Sequence, residues 1–276
     1  MGDAKRIIIK PISSKDANKI IRQLHYSGKV AVTSKLHLGV FLDGKCGGAL
    51  QFGDPIDKRK ILPLVNGTLW NEFLELNRMA LADWLPRNGE SRAISQAMRF
   101  IKKNYPHIKW VVSFADGTQC GDGTIYRASG FYLTAIRKNT SMWKLSTGEV
   151  IADIITRQVW NDSTRKRIGF KMGESWKDFS NREGAERLKG FQLRYIYFIH
   201  PEEKENLAVP ILPFSQIDEM GAGMYLGEKI ERGGRNQTAY SPVEPEHDNI
   251  SPTTQEYNNI KNKLCQELKG FKNGSA

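Results

Sequence analysis

Residues 110–131 read WVVSFADGTQCGDGTIYRASGF. The apolar run Trp110–Ala115 predicts a buried strand, and Asp116-Gly117 stops it. A glycine-rich turn follows, in which Gly117, Gly121 and Gly123 are free to take positive φ. Thr124 or Asp122 is placed to cap a short helix that carries Tyr126 and Arg127. Gly130 closes that helix, and Phe131–Arg137 predicts another strand. A carboxylate therefore stands at the carboxyl end of a strand, with a Tyr-Arg pair shortly after it. In open α/β sheets, ligands bind at that edge.

Upstream, Arg6–Ile9 predicts a first strand. Ser13 is a helix N-cap with Asp16 in the capping-box position, and Ala17, Ile20, Ile21 and Leu24 recur at helical spacing, so Ser14–His25 predicts an amphipathic helix. Gly28 supplies its stop. Leu36–Leu42 and Cys46–Phe52 flank Asp43-Gly44, a hairpin signal. Asp54–Lys60 reads as a charged loop and Phe73–Leu81 as a core strand. Glu90–Asn104 predicts a helix with Ile94, Ala97, Met98 and Ile101 turned inward, ended by Tyr105-Pro106.

Downstream, Asn161–Lys189 is polar and basic and reads as an arm inserted between two sheet strands. Phe191–Ile199 is β-branched and aromatic, hence a strand. The order is β-α-β-β-β-α-β-α-β with a late strand, an α/β fold with a mixed central sheet and helices on both faces. Residues 1–212 are expected to form this domain. Residues 213–276 read as a linker and flexible tail with a terminal amphipathic helix, on which Tyr257, Ile260, Leu264 and Leu268 share a face.

Composition narrows the function. The 276 residues carry 41 Lys+Arg against 30 Asp+Glu, a net charge of +11, with a sequence pI near 9.5. That balance favours a polyanionic partner, nucleic acid first. Cys46, Cys120 and Cys265 form no CxxC pair and fit neither a disulfide framework nor a zinc ribbon. A reducing cytoplasm is the expected location. The apolar run near the N-terminus is too short for a signal peptide, and no stretch approaches a membrane span.

The element order resembles that of the GNAT acyltransferases. That resemblance implies that the fourth and fifth strands splay apart around a donor's pantetheine arm, with its pyrophosphate at the start of the next helix. Here that start is Pro86-Arg87-Asn88-Gly89-Glu90-Ser91-Arg92, which lacks the GNAT glycine spacing. A more specific resemblance rests on six stretches in order. They are His25-Tyr26, LNRMAL at 76–81, ESRAIS at 90–95, FADG at 114–117, IYRASGF at 125–131 and FQLRYIYF at 191–198. Together they resemble the Mom family of phage DNA-modification proteins from about Lys5 to His200.

The resemblance implies conversion of adenine in double-stranded DNA to N6-carbamoylmethyladenine, which shields phage DNA from host restriction. An ordinary GNAT acetyltransferase using acetyl-CoA on a protein or small-molecule amine is the alternative. The family's functional positions fall on His25, Tyr26, Arg78, Ser91, Asp116 and Tyr126. The donor is left open between an acyl-CoA-like carrier and another activated two-carbon amide. Iron is entertained from the family, without a committed ligand, and so is a homodimer.

Each position has a plain structural reading beside the functional one. N6 is a weak nucleophile inside the base stack, so the enzyme must flip the adenine, hold the electrophile and remove a proton. Asp116 accepts that proton or only shapes its turn. Tyr126 protonates the leaving group or only packs its helix. His25 serves as base, phosphate contact or metal ligand; read alone, it is a surface histidine and Tyr26 a core aromatic. Arg78 is the odd residue in an apolar strand, paired with Glu75 or Asp116 or clamping an anion. Arg87, Ser91 and Arg92 are expected to bind the donor. Arg165, Lys166, Arg167 and Lys171, interleaved with Trp160, Phe170 and Trp176, are expected to contact DNA.

Overall fold

The computed structural model describes residues 3–119, 121–152, 162–225 and 228–229. Cys120, Trp160, Cys265 and the expected terminal helix lie outside the described residues.

Two parallel strands at mid-sheet organise the molecule. β4 (Phe73–Leu81) and β5 (Trp110–Asp116) start on stacked rings, with Phe73 and Trp110 centroids 4.4 Å apart. Buried Trp110 also satisfies its indole by donating to Thr68 Oγ1 at 3.0 Å. Pairing covers Phe73–Trp110, Leu74–Val111 and Glu75–Val112, and there the ladder stops although both strands run on. One tie crosses just beyond, Ser113 Oγ donating to the Leu76 carbonyl at 3.3 Å. The strands thus fork as the sequence reading expects.

On its other side β4 pairs with β3 (Lys45–Gly53), and the register slips there. Gln51 faces Arg78 and Phe52 faces Leu76, which leaves Asn77 as the extra residue of a bulge. β1 (Ile8–Pro11) and β2 (Ser34–Leu42) complete one side, and β10 (Phe191–Phe198) and β6 (Tyr132–Lys138) the other. The order is β1-β2-β3-β4-β5-β10-β6, antiparallel except at the fork.

Helices cover both faces, as expected. On one, α1 (Ser14–Leu24) buries Ala17, Ile20 and Ile21 against Phe41, Ala49 and Ala80. Its cap is the expected one, with Ser13 Oγ accepting from the Asp16 amide at 3.1 Å. The short helix α2 (Lys58–Ile61) forms where a charged loop is expected. On the other face, α3 (Gly89–Asn104) buries Ala93, Ile94, Ala97, Met98 and Ile101. The first strand begins later than expected, because Asp3–Arg6 forms a 3-10 turn.

The helix after β5 is α4 (Thr124–Ala128), and its cap corrects the sequence reading. Gly123 is the N-cap at φ 75°. Asp122 instead ties the turn, its Oδ1 accepting from the Thr124 amide at 3.0 Å and the Thr124 hydroxyl at 2.7 Å. A Cβ at Gly123 would press on the Tyr195 ring and on Ala115, so glycine is required twice over.

The inserted arm starts directly after β6, earlier than expected. Within it, β7 (Met142–Lys144) pairs with β8 (Val150–Ala152) and β9 (Glu186–Arg187). With α5 (Asp162–Ile168) and α6 (Trp176–Arg182), these strands enclose a core of Leu145, Ile151, Ile168, Phe170 and Phe179. Past residue 212 the chain still packs on the main domain. α7 (Ser215–Glu219) buries Ile217, and Ala222 follows it into the same core. Among the described residues, no helix is long and apolar enough to cross a membrane.

Candidate active site

The fork and the bulge gather polar groups that an apolar strand would otherwise exclude. Glu75 occupies the last paired rung of β4. Burial pushes its carboxyl up to about 7, against the opposing pull of the Asn77 amide and the Arg78 charge. Asn77, itself buried, accepts from Ser34 Oγ at 3.0 Å and donates to the Asp54 carbonyl at 3.3 Å. Arg78 spends its guanidinium on backbone: Nε donates to the Lys29 carbonyl at 3.0 Å and Nη1 to the Asn77 carbonyl at 2.6 Å. It acts on Glu75 through space, not through the carboxylate ion pair expected from sequence.

His25 ends α1 beside this cluster. Its Nδ1 accepts from the Ser27 amide at 3.2 Å, which leaves the ring hydrogen on Nε2. Burial, followed by the Arg78 charge, pulls its pKa down to about 3. The imidazole is therefore neutral at physiological pH and a poor base, but an able hydrogen-bond donor. Tyr26 lies against it, ring centroids 4.2 Å apart, and is 40% exposed. The pair inverts the plain sequence reading: the histidine is buried and the tyrosine faces solvent.

The two residues of the opening stretch occupy the far side of the fork and turn to different neighbours. Asp116 Oδ1 accepts from the Thr118 amide at 3.0 Å and the Asn139 amide at 3.4 Å, and Oδ2 from the Gln119 amide at 3.0 Å. The carboxylate thus ties the end of β5 to the root of the arm. The Tyr126 ring packs between Phe131 and Tyr195, with centroids 5.3 Å and 5.2 Å away.

At the start of α3, Asn88 takes φ 66° and no side chain caps the helix. Ser91 Oγ turns back to the Asn88 carbonyl at 3.2 Å, and Arg92 Nη2 reaches the Lys5 carbonyl at 3.4 Å. Arg87 is exposed at the helix mouth. The uncapped first turn, with Arg87 beside it, suits an anionic group.

The sequence profile of the Mom protein family matches residues 6–216. The chain belongs to this family. It is 36% identical over 205 residues to a protein of Escherichia phage Mu named methylcarbamoylase mom, covering 74% of this chain and 80% of that one. Among solved structures it resembles the ribosomal-protein-S18-alanine N-acetyltransferase of Escherichia coli, at TM-score 0.38 and 12% identity over 70% of this chain and 94% of that one. A Bacillus subtilis acetyltransferase in complex with CoA gives TM-score 0.39 and 9% identity over 70% of this chain and 97% of that one. The strand order and the fork between β4 and β5 follow the GNAT-like layout expected from the sequence.

In this Mom-family chain charges of the arm act on the α1 end of the site. Lys29, exposed after the Tyr26 turn, has its ammonium pKa lowered by desolvation first and by Arg167 second, with Glu149 opposing and Arg78 adding to the shift. Arg167 pairs with Glu149 and is exposed, as are Lys166 and Lys171. Arg165 Nη1 meets Met172 Sδ at 2.8 Å. Among the described residues, no three His, Cys, Asp or Glu side chains group as metal ligands, so the iron entertained from the family finds no donor set there.

Glu75, Asn77 and Lys29 are additions to the site expected from sequence. Glu75 carries the same signal as Arg78, a charge within an apolar strand, but sequence alone supports reading it as a mere ion-pair partner.

Proposed function

We propose that the chain is a DNA-modification enzyme that places a carbamoylmethyl group on N6 of adenine in duplex DNA. The reading joins family membership to one feature of the site: a partly buried carboxyl, its pKa pushed up to about 7, at the rung where β4 and β5 part. N6 must lose a proton as it forms its new bond, and a group with pKa near the working pH is the most effective acceptor. We assign that role to Glu75 in place of Asp116, whose oxygens are engaged by Thr118, Gln119 and Asn139.

N6 bonds to the methylene carbon of an activated two-carbon amide, the donor's leaving group departs with the bonding pair, and the N6 proton passes to Glu75. His25, held neutral, donates a hydrogen bond toward the purine and raises the acidity of the N6 amine. The uncapped turn of α3 and Arg87 would hold a phosphate of the donor's carrier. The basic arm receives the DNA backbone, and the adenine reaches the fork flipped from the stack. The reaction takes place in the host cytoplasm.

The test is mass spectrometry of nucleosides from DNA of cells expressing the wild type or Glu75→Gln. Modified deoxyadenosine is expected with the first and is lost with the second. Only unmodified deoxyadenosine with soluble wild-type protein overturns the reading.

A further inference from the structure

Two side chains beside the site do the opposite of what apolar groups ordinarily do. Val32 is 94% exposed and Ile56 is 89% exposed. Single exposed hydrophobes are common. These two differ in how they are held.

Val32 precedes β2 and Ile56 follows β3, so both stand at one end of that hairpin, where Ser34 pairs with Gly53. The Asp54 amide donates to the Thr33 carbonyl at 3.2 Å, locking the two loops together. Gly53 lies so close to the Thr33 backbone that any Cβ would collide with it. Both loops are rooted on the bulge. Asn77 holds Ser34 and Asp54, and Arg78 holds the Lys29 carbonyl. The apolar tips therefore rise from rigid supports fixed to consecutive residues of β4, two and three positions after Glu75.

Charge surrounds them. Exposed Lys29 lies on the first loop and exposed Arg59 and Lys60 follow Ile56, while Asp54 ties Lys35 and the buried Lys58 beneath them at 2.6 and 2.5 Å. Lys58 also lies over the exposed Trp70 ring, 5.2 Å from its centroid. Apolar tips within a cationic border complement a nucleic-acid duplex, which is anionic outside and stacked and apolar within.

We propose that Val32 and Ile56 form a wedge that enters the base stack at the target adenine, fills the space it vacates and keeps it extruded toward Glu75. This rests on the reading of function above. The wedge acts on unstacking, so it matters for duplex DNA and not for a base that is already free.

The test uses the full chain with Val32→Ala and Ile56→Ala together. Binding and flipping are read on a duplex with 2-aminopurine at an adenine the wild type modifies. Transfer is read on the unlabelled duplex and on its single strand. Affinity should change by less than about threefold, because phosphate contacts dominate it. The 2-aminopurine fluorescence rise on binding should disappear. Duplex modification should fall by about tenfold or more, with single-strand modification within about twofold of wild type. Unchanged duplex modification overturns the wedge, and so does equal loss on both substrates, which marks damage to the transfer site. Wild-type protein that modifies neither substrate overturns the functional reading and the wedge with it.

Discussion

Glu75 and His25 are a carboxyl and an imidazole shifted in opposite directions by the same burial. Each stays neutral where its free counterpart would be charged. The raised Glu75 favours the fold at low pH, and its contribution is lost as pH rises from about 4.5 through about 7. The lowered His25 favours the fold above pH 6.5, and its contribution is lost as pH falls toward about 3. Glu75→Gln should therefore gain stability relative to wild type at pH 8 and little at pH 4, as read by urea unfolding at both. In catalysis, wild-type kcat/KM should rise with an apparent pKa near 7. Glu75→Gln should lose that inflection and about 10²–10⁴-fold in rate while still binding DNA. A retained inflection would place the base elsewhere. Sequence makes Arg78 conspicuous but does not tell which carboxyl lies near it, since that depends on the bulge at Asn77. Nor does it separate His25 from Tyr26. Both follow the last helical turn, and the Ser27 contact decides which one turns inward.

At the level of elements, the Asn77 bulge joins β4 to the loops before β2 and after β3. Asn77→Ala would leave the Ser34 hydroxyl and the Asp54 carbonyl without this partner, at a cost of about 1–3 kcal/mol in unfolding free energy. Its kinetic signature should be a raised KM for DNA with a smaller effect on kcat, measured by steady-state transfer. The hairpin was legible because Asp43-Gly44 is a turn with a mechanism, and both residues take positive φ, 51° and 83°. β4 was legible to the residue. The short strands Met142–Lys144 and Val150–Ala152 were not, because so few residues carry no measurable period. The bulge was hidden for a related reason: a slip between strands is a property of two segments and is written in neither alone.

Across the whole molecule, the arm is a second small core attached to the main sheet between β6 and β10. Its exposed Lys166, Arg167 and Lys171 can be neutralised without touching the fork. Changing all three to Ala should weaken duplex binding at low salt. The salt slope should fall by about one for each DNA phosphate that these side chains neutralise in the wild type, read by fluorescence anisotropy across a salt series. An unchanged slope would remove the arm from the DNA interface. Sequence located the basic run but not its electrostatic reach to Lys29, which depends on how segments far apart in the chain are brought together.

The three-rung seam between β4 and β5 has a mechanical corollary. It divides the sheet into leaves of four and three strands hinged along Phe73–Glu75 and Trp110–Val112. A molecule seated between the leaves would brace them like a strut. Deuterium uptake should then slow in step along residues 76–81 and 113–116 when the donor binds, and the melting temperature should climb with its concentration.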